Sequence, residues 1–214
     1  ESTAAFDLAA NESLVADAPL VIDPSILYAT FFAADAAVMT NSVTSAVAKD
    51  AFGNIYAGIF SYNGKITSDY INNAPGYDQA ALNTNYGSSH MTCIAKISGN
   101  TCTAFTFFGS SDGITSLKLF PDGRVLFGGF VESATGSLIP TTADAYIGNP
   151  RPATSSYLGM LGVLSDDLGT LLYSTYLPGI WSNSSYQSGI GFLEILDNDT
   201  YYVGGVVTPG ATNI

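Results

Sequence analysis

The chain has 214 residues, with 18 acidic side chains against 6 basic ones and a formal net charge of -12. That balance excludes nucleic acid as a partner, because phosphate binding needs clustered Lys and Arg to displace counterions. Only 11% of the residues are charged while 47% are hydrophobic, which excludes a disordered acidic tail and points to a folded protein with a sizeable core.

At the N-terminus, Glu1-Ser2-Thr3 carries no Met, no basic run and no apolar stretch, so the expectation is a mature chain whose signal peptide has been removed. Residues 1–18 read as an extension able to donate a strand to a neighbour; their small and apolar residues from Ala4 to Ala18 are also the one helical candidate. Apolar runs elsewhere are short and broken by Gly, Pro, Ser and Thr, so no segment reaches the roughly 20 apolar residues needed to span a bilayer as a helix.

From residue 19 onward the chain repeats itself. Ile26–Phe32, Thr103–Phe108 and Leu171–Leu177 are aromatic, β-branched runs around a central Thr: Thr30, Thr106 and Thr175. A short apolar strand precedes each (Pro19–Ile22, His90–Ile97, Ser156–Leu164) and an alternating strand follows each (Val43–Lys49, Ile114–Phe120, Gly189–Leu196). An acidic turn then leads into a fourth strand ending in Gly, as in Asp50-Ala51-Phe52-Gly53-Asn54-Ile55-Tyr56-Ala57-Gly58 and Asp122-Gly123-Arg124-Val125-Leu126-Phe127-Gly128-Gly129. The expected fold is therefore all-β, with three four-stranded, propeller-blade-like repeats at 19–61, 90–131 and 156–214. The intervening segments 62–89 and 132–155 are rich in Asn, Ser, Thr, Pro, Gly and Tyr and read as linkers. Three blades are too few to close a ring, so the repeats are expected to pack as an open array or a sandwich.

Tyr173-Ser174-Thr175-Tyr176-Leu177-Pro178-Gly179 and Gly53-Asn54-Ile55-Tyr56-Ala57-Gly58 resemble the two motifs of the SBBP repeat, a family named for a β-propeller and found in secreted bacterial and archaeal proteins. The resemblance covers roughly residues 20–207 and departs from the family at Pro178, at the Phe pairs 31–32 and 107–108, and at Asp199-Thr200. It implies fold and an extracellular location, and no particular activity.

Residues that carry chemistry are few. Cys93 and Cys102 flank Ser98-Gly99-Asn100, so a disulfide across a hairpin is expected; the alternative is two buried thiols. Asn11, Asn183 and Asn198 begin glycosylation triplets. Asp197 and Asp199 supply hard oxygen ligands for calcium, although turn formation accounts for the same residues, and no other cofactor is implied. His90 has no partner in sequence to orient it as a base. Gly109-Ser110-Ser111-Asp112-Gly113 matches a hydrolase nucleophile elbow, a motif that must join a strand to a helix, whereas an alternating strand follows here. Trp181 and Tyr186 are loop aromatics suited to contact. Val203 and Val206 lie in an interior-looking last strand that would present an end face.

The reading is thus a non-enzymatic extracellular structural protein whose partner is itself, as a filament or surface-layer subunit. The rival is a secreted carbohydrate-binding or adhesion module using the loop aromatics, and a weaker one is a hydrolase fragment using clustered Asp.

Overall fold

The structure, a computed structural model, describes residues 42–61, 75–77, 91–110, 112–132, 139–148, 157–177 and 188–207. All belong to the second of two compact units, Phe31–Ile214. They form ten strands and no helix: β1 (Ser42–Lys49), β2 (Ile55–Ser61), β3 (Met91–Ser98), β4 (Thr101–Ser110), β5 (Asp112–Leu119), β6 (Val125–Glu132), β7 (Tyr157–Leu164), β8 (Leu171–Leu177), β9 (Ser188–Ile195) and β10 (Tyr201–Val207). The expected strands from Val43 onward all form. Pro19–Ile22, Ile26–Phe32 and the helical candidate Ala4–Ala18 lie outside the described residues.

The strands make three antiparallel sheets, ordered β1-β2-β3-β4, β5-β6-β7-β8 and β9-β10. This corrects the expectation of three four-stranded units. The described strand numbers are four, four and two, no sheet closes on itself, and the sheets run half a unit out of phase with the sequence repeat. Strands β3 and β4 pair back onto β2, and β7 and β8 onto β6, so the segments 62–89 and 132–155 connect strands within a sheet and do not separate units.

The sheets stack face to face, at the roughly 10 Å spacing that interdigitating side chains impose. Between the first and second sheets lies a core of Tyr56, Ile94 and Phe108 against Ile114, Leu117, Phe127 and Met160, with the Phe108 and Phe127 rings edge to face at 4.5 Å. Between the second and third lie Phe120, Leu126, Leu161 and Val163 against Ile190 and Leu193. Burial follows from this order. Residues 158–164 of the middle sheet are buried without interruption, whereas β9 alternates because only one of its faces is covered.

The stacking is locked at the same place in successive sheets. The hairpins β1-β2, β5-β6 and β9-β10 each carry a register shift at one equivalent point, bulging out Ser45, Thr115 and Gly191. The Ser45 hydroxyl donates to the Ile114 carbonyl of the next sheet and the Thr115 hydroxyl to the Ile190 carbonyl of the sheet after it. Beside each bolt an isoleucine sits over a glycine. A Cβ on Gly58 would lie 2.8 Å from Ile114 Cγ2, and one on Gly128 would lie 2.8 Å from Ile190 Cγ2. Both glycines are required by this close approach.

One edge of each four-stranded sheet, β4 and β8, is met by a long connection. The Phe105 N–H in β4 donates to the Pro75 carbonyl at 2.9 Å. Along β8, the Thr142 N–H donates to Ser174 O, the Tyr176 N–H to Ile147 O, and the Ile139 N–H to the Tyr176 hydroxyl. Backbone groups that would otherwise template another strand are thereby satisfied.

Adding a methyl group under Ile190 should strain the stack, so Gly128→Ala is expected to cost about 1–3 kcal/mol, the usual range for overpacking. A Cβ at Gly191 meets nothing within 4 Å, so Gly191→Ala should be nearly neutral. Urea unfolding of the two variants against the parent checks the contrast.

Candidate functional site

The features that stack the first two sheets recur, unused, on the outer face of β9-β10. Tyr56 of the first sheet and Leu126 of the second are 1% and 0% exposed beneath the sheet that follows them, whereas their equivalent, Tyr202, is 61% exposed. Gly204 stands where Gly58 and Gly128 stand. A Cβ there would meet only Phe192 of its own hairpin, at 3.5 Å or beyond. Phe192 and Leu196, each 55% exposed, complete an apolar face on which Glu194 is the charged group. Among the described residues, β2 and β6 are paired on both sides and β10 with β9.

Of the expected contact residues, Val203 lies on the opposite face of β10 from Tyr202 and is 38% exposed there. It is cross-strand from Leu193, a buried member of the core against the middle sheet. Side chains alternate along a strand, so Tyr202 is the residue that faces outward. The Val206 backbone lies in β10 opposite Gly189, and its side chain lies outside the described residues, as do Trp181, Tyr186, Asn11, Asn183 and His90. Sequence reasoning missed Phe192 and Tyr202. The signal that finds them is the alignment of the three bulges, which fixes which positions of each hairpin are equivalent.

The turns gather the carboxylates. Asp50, Asp122, Asp167 and Asp197 each accept, through Oδ1, the N–H two residues on: Phe52 at 2.9 Å, Arg124 at 3.1 Å, Gly169 at 2.8 Å and Asp199 at 2.8 Å. Asp197 also takes the Thr200 N–H at 2.8 Å. Arg124 ties two turns together: Nε reaches Asp122 at 2.7 Å, Nη2 donates to the Asn198 carbonyl and lies 3.9 Å from Asp199, and the guanidinium covers the Phe120 ring at 4.7 Å. Asp197 and Asp199 are therefore engaged in a turn, with a guanidinium already beside Asp199. Among the described residues no three His, Cys, Asp or Glu side chains group as metal ligands. Asn198 is exposed in the same turn, and its amide oxygen accepts the Asp122 N–H at 3.2 Å.

Hydrogen bonds lower three of these acids. Asp197 is held down by the Asp199 N–H, and Asp167 by the Ser165 hydroxyl and the Gly169 N–H. At Asp50 burial pushes upward, and the Asn54 side chain with the Asn54 and Phe52 N–H groups outweighs it. Folded values below unfolded ones give a stabilisation that is fully present above about pH 4, the ordinary Asp value, and lost as pH falls through the lowered values. The melting temperature should accordingly drop below pH 4, and a combined Asp50→Asn, Asp167→Asn, Asp197→Asn variant should show a shallower drop between about pH 4 and 2.

The disulfide expectation is corrected by the strand register. Cys93 is opposite Phe107 and Cys102 opposite Ile97, which offsets the two by four residues along β3, about 13 Å at the usual rise per residue. Both thiols are free and buried. Burial pushes the Cys93 thiol well up and raises Cys102 to about 11, and the Cys102 thiol donates to the Ala104 carbonyl at 3.3 Å. Without reductant, Ellman's reagent should find no reactive thiol in the folded protein at pH 8 and two in guanidinium chloride. Zero in both would restore the disulfide.

The Gly109–Gly113 segment is not a nucleophile elbow: β4 runs to Ser110 and β5 starts at Asp112, so the motif joins strand to strand. Paired carboxylates at Asp166-Asp167 lie in the β7-β8 turn, where the Asp166 carbonyl accepts the Tyr56 hydroxyl at 3.0 Å and Lys96 Nζ at 2.9 Å. No helix among the described residues is long and apolar enough to cross a membrane. Compared with known proteins, the chain matches no family model, no curated protein and no solved structure.

Proposed function

We propose that the chain is an extracellular structural protein that associates with copies of itself, as a subunit of a filament or surface layer. The observation that carries this reading is the outer face of β9-β10. Phe192, Leu196 and Tyr202 are exposed on it, and the equivalents of Tyr202 (Tyr56 and Leu126) and of Leu196 in the second sheet (Phe120) are core residues of the stack. Apolar faces that continue a core are interaction surfaces. The outside location is supported by the resemblance of the repeat to SBBP proteins and by an exposed Asn198 triplet. A non-enzymatic role accords with turns in which the Asp50, Asp122, Asp167 and Asp197 carboxylates accept backbone N–H groups. The carbohydrate-binding alternative rests on Trp181 and Tyr186, and no observation among the described residues favours it.

Sedimentation velocity over a rising concentration series should show species larger than a monomer. Replacing Phe192 and Tyr202 by Asp should weaken association at least tenfold, about 1.4 kcal/mol or more, without unfolding the chain, since both side chains are exposed. A parent protein that stays monomeric at the highest concentration overturns the reading.

A further inference from the structure

Resting on the outside location proposed above, which the SBBP resemblance supports apart from any triplet, we infer that Asn198 is a glycosylation site whose side-chain nitrogen carries a sugar. The acceptor triplet is Asn198-Asp199-Thr200, with threonine at its third position and no proline at its second. Asn11 and Asn183 lie outside the described residues, whereas all of this triplet lies within them. The fold around it decides whether a bulky, solvated group has room there.

Asn198 stands at the apex of a turn. In each bulged hairpin the same five-residue link joins the last paired residues of the two strands, Lys49 to Ile55, Leu119 to Val125 and Ile195 to Tyr201. The central position of that link is Phe52 in the first hairpin, Asp122 in the second and Asn198 in the third. All three are exposed. Phe52 is 91% exposed, so even an aromatic side chain at this position projects clear of the stack. Residues 196–200 are exposed throughout, and the Asp199 side chain is 95% exposed. A sugar on Asn198 therefore extends into solvent beyond the strand ends, and no packed side chain has to move to admit it.

The bonds that Asn198 already makes survive the modification. Its amide oxygen accepts the Asp122 N–H at 3.2 Å, and its backbone carbonyl accepts Arg124 Nη2. An N-linked sugar replaces one hydrogen of the amide nitrogen and leaves both oxygens as acceptors. The turn itself is closed by Asp197, whose Oδ1 takes the Asp199 and Thr200 N–H groups at 2.8 Å each, so the Asn198 nitrogen has no part in closing it. The sugar donor is a lipid phosphate or pyrophosphate carrying an oligosaccharide. In the transfer, the side-chain nitrogen bonds to the anomeric carbon, the bond from that carbon to the phosphate oxygen breaks, the phosphate leaves with the electron pair, and the nitrogen gives up one proton. No oxidant or reductant is required.

Mass spectrometry of the protein purified from its source cells tests the site. Cleavage after Glu194 separates Asn198 from Asn183, and the fragment that begins at Ile195 should carry a hexose-containing or N-acetylhexosamine-containing addition in most copies, localised to Asn198 by electron-transfer fragmentation. Produced in the same cells, Thr200→Ser should keep the addition and Thr200→Val should lose it, with protection of Cys93 and Cys102 from Ellman's reagent reporting that each variant is folded. An addition that persists in Thr200→Val, or that maps to Thr200 itself, overturns the inference. So does an unmodified Asn198 in protein collected outside the cells, which leaves the outside location standing. Unmodified protein found only inside the cells overturns both.

Discussion

A branched side chain seated over a glycine in the neighbouring sheet, with a bulged hydroxyl bonded to the neighbour's backbone, governs how this protein is put together. The seat allows two sheets to approach at one point without a Cβ in between, and the bolt fixes which residue of the second sheet arrives there. Close packing leaves no intermediate position, so each sheet sets the register of the next. The cores on either side of the middle sheet then fall into place around Ile114 and Ile190. Each contact is modest. Full burial of an isoleucine is worth roughly 1.5–3 kcal/mol, and the hydroxyl bond about 1 kcal/mol. Their value lies in recurring at the same ladder position.

Sheets built this way have edges, and each of the two four-stranded sheets covers one of its edges with its own connection. Residues 75–77 lie against β4 and residues 139–148 against β8. The same long segments carry the chain from β2 to β3 and from β6 to β7. A connection that must cross a sheet to reach its outer edge and return cannot be short, which explains loops well beyond the usual hairpin length. The short link is the one between sheets, where the single residue Ser111 separates β4 from β5.

That inversion marks the limit of what the sequence displays. Strand positions are legible because alternation and β-branched runs act locally, and the turns are legible because Gly53 and Gly123 adopt positive φ where Asp-containing turns need it. Sheet boundaries are not. Periodicity gives the order of strands without their partners, and long linkers invite a unit boundary where the structure has strand pairing. The cysteines show the same gap at residue scale: they flank a tight turn, yet the shift between Lys96 and Ile97 and the position of the turn leave Cys93 four residues from the partner of Cys102. A one-residue difference in parity likewise separates Val203, on the side of Leu193, from Tyr202, on the outer face.

A chain with a net charge of -12 would repel copies of itself if that charge were spread evenly. It is not spread evenly over the described residues. Asp50, Asp122, Asp166, Asp167, Asp197 and Asp199 all fall in turns at the same end of the antiparallel strands, where Lys96 and Arg124 lie among them. The sheet faces are left almost uncharged, with Lys118 and Glu194 meeting at 3.1 Å across the second and third sheets. Exposed charges are screened over roughly 8 Å at physiological ionic strength, and neighbouring turns meet more closely than that, with Arg124 of one turn 3.9 Å from Asp199 of the next. Segregating the acids into the turns leaves the faces free to stack, and Arg124 offsets part of the repulsion where two acidic turns come together.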